Sequence, residues 1–584
     1  MNRQEFPNTF KLQQQTILGK NVKPQRLLKH EPLVLDFDEA LIDRSDLAQV
    51  QLAHQTSFVD AFDQTRSLEA VNLNGRANGK VAQLISFPEK WVHANGVHQG
   101  NEENEECCPA PTPLPVGRIF LTLPIGPWYS GRVMNMNRQP NLTRRQFLST
   151  SAMAATAISI VPRHVVAGSG ETPPSEKINI AGIGVGGQGA GDIDAVSGGN
   201  NIVALCDVDL AHSGGTFKKY PQAKQYRDFR KMFDEMEKSF EAVVVATPDH
   251  CHAVAAMAAI KHGKHVYCEK PLAHSIHEVR ELMRAAREHK VVTQLGNQGH
   301  SFESIRFFCE WVRDGAIGKV HTIHAGCNAR NCALDQLSRL KEAHPVPPTL
   351  EWDLWLGPAQ ERPYHPAYLP GSWRSWVPFG NGTVGDWTCH VVDPVFWALD
   401  LGAPATIQAN VKDYDFKTQG DSFPYGEVIT YEFPAKGNRA PVVMYWYSGS
   451  EPIPRPPELE SDEKSIQTGA VVVGDKGTIV YGSHGAGQVR LIPQAKMDAY
   501  HKPPKTIPRA KEHHQDWLQA IRNGTKAGSD FSYGGPLTEI ALLGIIAIKM
   551  GGKKLEWDGR RGRFLNSPEA NQFLNPPYRS GWSL

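Results

Sequence analysis

Gly184, Gly186 and Gly189 stand as G-x-G-x-x-G in the run KINIAGIGVGGQGAGDI, which begins at Lys177. An apolar stretch leads into these glycines and a helix start follows them. Glycine at such a junction lets the chain turn tightly and lets a pyrophosphate approach backbone N–H groups at the helix N-terminus. Alone the glycines are a weak signal, since an ordinary Gly-rich turn carries them too. Asp207 adds weight: it closes the next apolar run, NIVALCDVD, 23 positions after Gly184. A carboxylate at that spacing suits the ribose hydroxyls of a dinucleotide. Asp207 and Asp209 would repel a 2′-phosphate, and no arginine follows at once, so NAD is favoured over NADP.

More ionisable residues lie farther along. ATPDHCH (residues 246–252) and CEKP (residues 268–271) each close an apolar run, and GTVGDWTCHVVDPVFWAL places Asp386 and His390 four positions apart. An i, i+4 pair shares one helix face, so both side chains can point into one cleft. With the glycine turn, these motifs resemble the Gfo/Idh/MocA family of sugar and inositol oxidoreductases. The likeness runs from about Ile178 to the C-terminus, whose ending resembles exported members of the family.

The resemblance implies that Thr247, Pro248 and His252 line the cofactor groove, and that Glu269, Lys270 and Pro271 form the catalytic turn. It places Lys270 beside the nicotinamide and the substrate hydroxyl, makes His390 the proton acceptor or donor, and makes Asp386 a substrate-binding or orienting carboxylate. Asn297 and Gln298 of GNQGH fall where the family's fifth strand approaches the nicotinamide.

Oxidising a secondary alcohol sends a hydride to the cofactor, so protein residues handle only the proton and the geometry. An imidazole with an ordinary pKa of about 6.5 suits proton transfer near neutrality. Lys270 would stabilise charge developing on the same oxygen. Asp386 would fix an imidazole tautomer or grip a neighbouring hydroxyl, and both options stay open. His250 and His252 flank Cys251, but no third and fourth ligands follow at metal-site spacing; a loop histidine contacting cofactor or water is preferred, with no metal. Six tryptophans between Trp352 and Trp397 crowd one stretch, and core packing suits most of them, with one or two free to stack on a sugar.

These residues need an α/β scaffold. Continuous Val/Ile/Ala runs from Ile178, Asn201, Phe240, Lys264 and Lys290, with helix-like stretches between them, predict a doubly wound parallel sheet buried on both faces. Beyond Lys319, ATIQANV, GEVITYEF, VVMYWYSG and GAVVVGDKGTIVYG follow hairpin logic. The expected architecture is an N-terminal Rossmann domain (175–300) and a C-terminal α+β substrate-binding and oligomerisation domain (301–584) with an open, mainly antiparallel sheet. In the resembling family the exposed sheet face commonly forms the oligomer contact, which implies a homo-oligomer. The Pro-rich stretch 451–457 is expected to loop over the cleft or lie at an interface.

The chain has 584 residues, more than one core supports, with 62 Lys and Arg against 61 Asp and Glu. Interspersed charge points to a small-molecule partner, a sugar or polyol, and away from nucleic acid or anionic membrane. Nine cysteines without a CxxC argue against a disulfide framework. No apolar run approaches the roughly 20 residues of a spanning helix. From Asn141, NLTRRQFLSTSAMAATAISIVPRHVVAGSG has the layout of a twin-arginine signal. Such signals act at a free N-terminus, so residues 1–133, which lack periodicity, are expected to be disordered or a mis-assigned extension. The signal would then occupy 134–167, starting at Met134 or Met136. Periplasmic or other exported localisation follows, with the export machinery as a partner and a tightly bound cofactor carried out in the folded protein. Two rivals remain: an NAD-dependent glycoside hydrolase of the same fold using transient oxidation and elimination, and a non-catalytic sugar-binding protein. Intact Lys270, Asp386 and His390 argue against the latter.

Overall fold

The computed structural model describes residues 176–584; the expected upstream extension and twin-arginine signal lie outside them. Strand β1 (Asn179–Ile183) runs through the glycine turn into helix α1 (Gln188–Ser197), and the βα pattern repeats. It continues with β2 (Asn201–Cys206), α2 (Leu210–Lys219), β3 (Lys224–Tyr226), α3 (Phe229–Met236), β4 (Ala242–Val245), α4 (Asp249–Lys261), β5 (His265–Cys268), α5 (Ile276–His289) and β6 (Thr293–Leu295). All pairings in this sheet are parallel, in the order β3-β2-β1-β4-β5-β6. Every residue of β4 is buried, as the unbroken Ala-Val-Val-Val run requires of a strand covered on both faces. Strand β3 has only three residues and escapes any periodicity. The order reverses between β1 and β4, and the crevice at such a switch point is where this fold receives ligands.

Helix α6 (Glu303–Asp314) leads to β7 (Val320–Cys327), the first strand of a nine-stranded sheet ordered β13-β12-β11-β7-β10-β9-β8-β14-β15. Its strands are β8 (Thr406–Val411), β9 (Gly426–Phe433), β10 (Val442–Gly449), β11 (Thr468–Gly474), β12 (Thr478–Gly482), β13 (Arg490–Ile492), β14 (Leu555–Asp558) and β15 (Arg563–Phe564). Pairing is antiparallel except between β7 and β10. Helices α7 (Gly382–Val391), α8 (Asp393–Leu399), α9 (His513–Asn523) and α10 (Phe531–Lys549) complete the domain. The sheet's buried face is tied to them by Tyr481, whose hydroxyl donates to Val391 O at 2.8 Å, and by Tyr431, which donates to Ile540 O at 3.1 Å.

Helix α10 corrects one expectation: it is 19 residues long and apolar enough to span a membrane by length and composition, yet 83% of its apolar window is buried inside the protein. It is a core helix. The Pro-rich stretch does not cover the cleft, because Ile453 packs with Val471, Val480 and Ile492 against the sheet. All seven cysteines among the described residues are free thiols, six of them buried. Trp355, Trp373 and Trp376 form a satellite core with Phe379 and Tyr368, as packing logic suggests.

Candidate active site

The glycine turn leaves no room for side chains. A Cβ on Gly184, which has φ +77°, would meet Thr247 N at 2.7 Å, and one on Gly189 would fall 1.9 Å from Gly184 O. Helix α1 begins with no side-chain cap and no acidic residue in its first turn, the polarity that receives a phosphate. The cradle therefore fits a dinucleotide. Gly189→Ala is expected to weaken NAD binding by about a hundredfold, measured by calorimetry, while circular dichroism reports an intact fold; unchanged affinity would remove the cradle's role.

Asp207 sits at the end of β2. Its Oδ2 accepts from Val185 N at 2.8 Å and Gly186 N at 3.1 Å, and its Oδ1 from Asp209 N at 2.9 Å. Burial raises its pKa, and these N–H groups offset part of that rise. The carboxylate thus clamps the turn through Oδ2, and Oδ1 keeps a second lone pair for a ribose hydroxyl. Asp209 is engaged as the N-cap of α2. His212 lies over the turn, since a Cβ on Gly186 would meet its Cδ2 at 2.3 Å; no sequence pattern singled it out.

Thr247 and Pro248 follow β4 at the switch point, with Pro248 as the residue before α4. His252 is placed differently from the expectation. It belongs to α4, not to a loop, and only 1% of it is exposed. Its Nδ1 lies 2.8 Å from Pro271 O and its Nε2 2.7 Å from Thr247 O. Closed off between two carbonyls, it staples the Thr-Pro loop to the Glu-Lys-Pro turn and does not line a groove. His250 is likewise enclosed, against Phe379 O and Trp355 O.

Glu269 follows β5 and is buried, which pushes its pKa up, with Asp192 adding to the rise. Gln298 Nε2 donates to Glu269 Oε1 at 2.7 Å and to the Tyr267 hydroxyl at 3.2 Å. Asn297 is fully buried and donates to Asp393 Oδ2 at 3.0 Å. Both amides are turned into the protein and support the site from behind. Asp393, which also receives His300 at 3.0 Å and the Tyr533 hydroxyl, is a gathering point that sequence reading missed.

The Lys270–Pro271 peptide is cis, and Lys270 reaches across to α7. Its Nζ donates to Asp386 Oδ1 at 2.7 Å and to Asp386 O at 3.0 Å. Asp386 Oδ1 also accepts from Arg374 Nε at 3.2 Å, and Oδ2 from Asn331 Nδ2 at 3.2 Å. Burial by itself would raise the Asp386 pKa, but the Lys270 ammonium and Arg374 guanidinium hold it well below the usual carboxylate range. Of the two roles left open for Asp386, the geometry selects neither imidazole orientation nor a free grip; it holds Lys270. His390 lies one turn farther along α7. Burial first, then Lys270 and His484, hold its pKa well below 6.5.

Asn331 comes from the loop after β7 and Arg374 from a 3-10 turn (Ser372–Ser375) before α7, neither long enough for a periodicity to mark a functional residue. Asp249 is buried beside them and accepts from Asn381 Nδ2 at 2.9 Å. Glu342, His344 and His365 bring ligand-type atoms within 4.8 Å of one another. Because His365 Nδ1 accepts the Ala367 N–H at 3.1 Å, its proton sits on Nε2, the atom facing Glu342, which disfavours metal ligation by His365.

The buried acids have a consequence for stability. Burial raises Asp249 and Glu427 to about 7, against about 4 in an unfolded chain. Between those values the folded state binds more protons, so these groups favour folding at low pH and that contribution is lost as pH rises through about 7. Buried His250 and His252, lowered to about 4, act with the opposite sign and are spent above about 6.5. The melting temperature is therefore expected to fall between about pH 6.5 and 8, and more shallowly in Asp249→Asn. Identical slopes in calorimetric scans would refute the assignment.

A doubly wound domain with a phosphate cradle, joined to an open-sheet domain that delivers Asp386 to the end of β5, defines a two-domain nucleotide-binding class. Residues 177–297 match the family model described as "Oxidoreductase family, NAD-binding Rossmann fold", and residues 330–432 match "Oxidoreductase family, C-terminal alpha/beta domain". Both segments thus match models of the Gfo/Idh/MocA oxidoreductase family, and the first segment is an NAD-binding Rossmann domain.

Similar curated proteins include a 2,7-anhydro-N-acetylneuraminate hydratase of Mediterraneibacter gnavus, 32% identical over 26% of this chain and 38% of that protein. A levoglucosan dehydrogenase of Pseudarthrobacter phenanthrenivorans is 31% identical over 20% of this chain and 30% of its own length. An inositol 2-dehydrogenase of Salmonella typhimurium is 30% identical over 22% and 38%. The chain thus spans less than two fifths of each of these relatives. Among solved structures, an inositol dehydrogenase homolog from Azotobacter vinelandii complexed with NAD+ has a TM-score of 0.46 and 16% identity, covering 67% of this chain and 100% of that one.

Proposed function

We propose that the protein is an NAD-dependent oxidoreductase that takes a hydride from a secondary alcohol carbon of a sugar or polyol. The observation that carries this reading is the Lys270–Asp386 pair, 2.7 Å apart at the mouth of the nucleotide crevice, with His390 on the next turn of the same helix. When bound, the nicotinamide supplies the hydride acceptor. The chain's own residues manage the proton. Lys270 carries three N–H bonds; two meet Asp386, and the third is available to the substrate oxygen. His390, neutral at physiological pH, accepts the hydroxyl proton as Lys270 stabilises the charge left behind.

The levoglucosan and inositol dehydrogenases support alcohol oxidation. Anhydro-neuraminate hydratases among the relatives support a second reading, transient oxidation followed by elimination, as in an NAD-dependent glycoside hydrolase. Purified protein incubated with NAD and a panel of sugars, polyols and glycosides separates the two. Stoichiometric NADH supports the dehydrogenase. Product without accumulating NADH supports elimination, and no turnover of any member overturns both.

Arg144, Arg145 and the stretch after them support export by the twin-arginine route with the cofactor already loaded. Periplasmic fractionation with N-terminal sequencing tests the route; a product retained in the cytoplasm sinks it. A homo-oligomer formed through the open face of the large sheet, where His324 stacks on Tyr445 at 5.3 Å, completes the reading. Sedimentation of a single-chain species would remove it.

A further inference from the structure

His390 lacks the hydrogen bond that ordinarily fixes a catalytic imidazole through its second nitrogen. Its Nδ1 is buried without a partner among the described residues, and Asp386 is committed to Lys270, Arg374 and Asn331. What meets the His390 ring is packing. The His484 ring lies 4.1 Å away at 35°, and Trp387 lies at 6.0 Å and 68°.

His484 stands in the segment joining β12 to β13. There His484, Ala486 and Gln488 have φ of 50°, 59° and 54°, a left-handed backbone that side-chain-bearing residues seldom adopt and that persists only where the surroundings over-determine it. The surroundings are the end of the nucleotide domain and the start of α6. A Cβ on Gly299, just after β6, would fall 2.4 Å from Gly485 N, and one on Gly485 would fall 2.1 Å from Gly299 O. Ser304 Oγ donates to Gly485 O at 2.6 Å, and Gly482 N closes the segment on Gly487 O at 2.7 Å. Ser483 Oγ lies 3.0 Å from His484 Nδ1 and fixes that ring in turn.

We propose that His484 is a positioning residue, clamped by the nucleotide domain so that its ring holds the His390 imidazole in place; this rests on the oxidoreductase reading above. The charged and titratable groups acting on His390 are Lys270 from the β5 turn, Asp386 from its own helix, His484 from this segment and His513 from the start of α9. Two imidazoles at this separation disfavour a shared charge, so the stack also keeps His390 a neutral proton acceptor.

The test uses protein carrying 13C-labelled histidine with no cofactor added, the His390 signal being assigned by its loss in His390→Gln. In His484→Ala the cavity admits water and a competing imidazole is gone, and both changes raise the midpoint of the His390 titration toward about 6.5. The signal should broaden as rotamers mix, and kcat should drop about tenfold or more with KM little changed. His484→Phe, which keeps a flat ring but not the second imidazole, should retain a narrow signal, give a midpoint between those of the parent and the alanine variant, and restore most of kcat. His484→Leu, matching volume without the ring, repeats the alanine test should that variant unfold. A His390 signal and midpoint in the alanine or leucine variant equal to the parent's would overturn the proposal. Because the resonance arm needs no turnover, it stands apart from any failure of the oxidoreductase reading.

Discussion

Lys270→Met is expected to lower kcat about a thousandfold while NAD affinity, set by the glycine cradle some strands away, stays close to the parent's. On the proposed reading the Lys270 ammonium donates to the substrate oxygen on which alkoxide-like charge develops, and it is held in place by two contacts to Asp386 at 2.7 and 3.0 Å. Preorganised donors matter more in transition states than in ground states, so the loss should fall on kcat, with a smaller change in KM. Lys270→Arg should not rescue activity. The guanidinium is a planar fork and cannot reproduce a compact ammonium between a carboxylate and a substrate oxygen. Removing the lysine also leaves buried Asp386 with only Arg374 and Asn331, so a lowered melting temperature should accompany the kinetic loss. Steady-state kinetics with the best alcohol from the panel, beside fluorescence titration of NAD, distinguish the outcomes. A variant within tenfold of the parent kcat would exclude Lys270 from the reacting centre.

The second large effect concerns His390. His390→Asn should reduce kcat by about 10²- to 10⁴-fold, the range of general acid–base catalysis. The parent's pH profile carries the sign. Burial, Lys270 and His484 hold the His390 pKa well below 6.5, so the base form persists into acid. Activity in the alcohol-oxidising direction is then lost only as pH falls through that depressed value, and the acid limb of kcat/KM should lie below that of a free imidazole. In His390→Asn this limb should vanish. A limb centred near about 6.5, or one unaltered in the variant, would assign the proton transfer elsewhere.

Several elements were readable because their causes are local. The apolar runs of β1, β2, β4 and β5 carry burial in their composition, and the glycine turn is a steric requirement of a strand feeding a helix. Asp386 and His390 share a face because helix geometry puts residues four apart together. Strand β3 was invisible, since three residues cannot show a period. The parallel β7–β10 pair inside an otherwise antiparallel sheet left no mark, because register between distant strands is not written in either one.

Site partners divide the same way. Residue types and their strand-end or helix positions followed from the chain, and so did the NAD preference carried by Asp207 and the likeness to an oxidoreductase family. Which way a side chain turns did not. His252 is sealed between the carbonyls of Thr247 and Pro271, Asn297 faces Asp393, and Asp386 grips Lys270 in preference to His390. Arg374, Asn331 and His484 reach the site from short turns and loops that only folding brings near. Local sterics and hydrophobic periodicity act within a few residues and can be read along the chain. Burial, the choice of hydrogen-bond partner and the electrostatic field depend on groups far apart in sequence, so they were settled only when the two domains packed together.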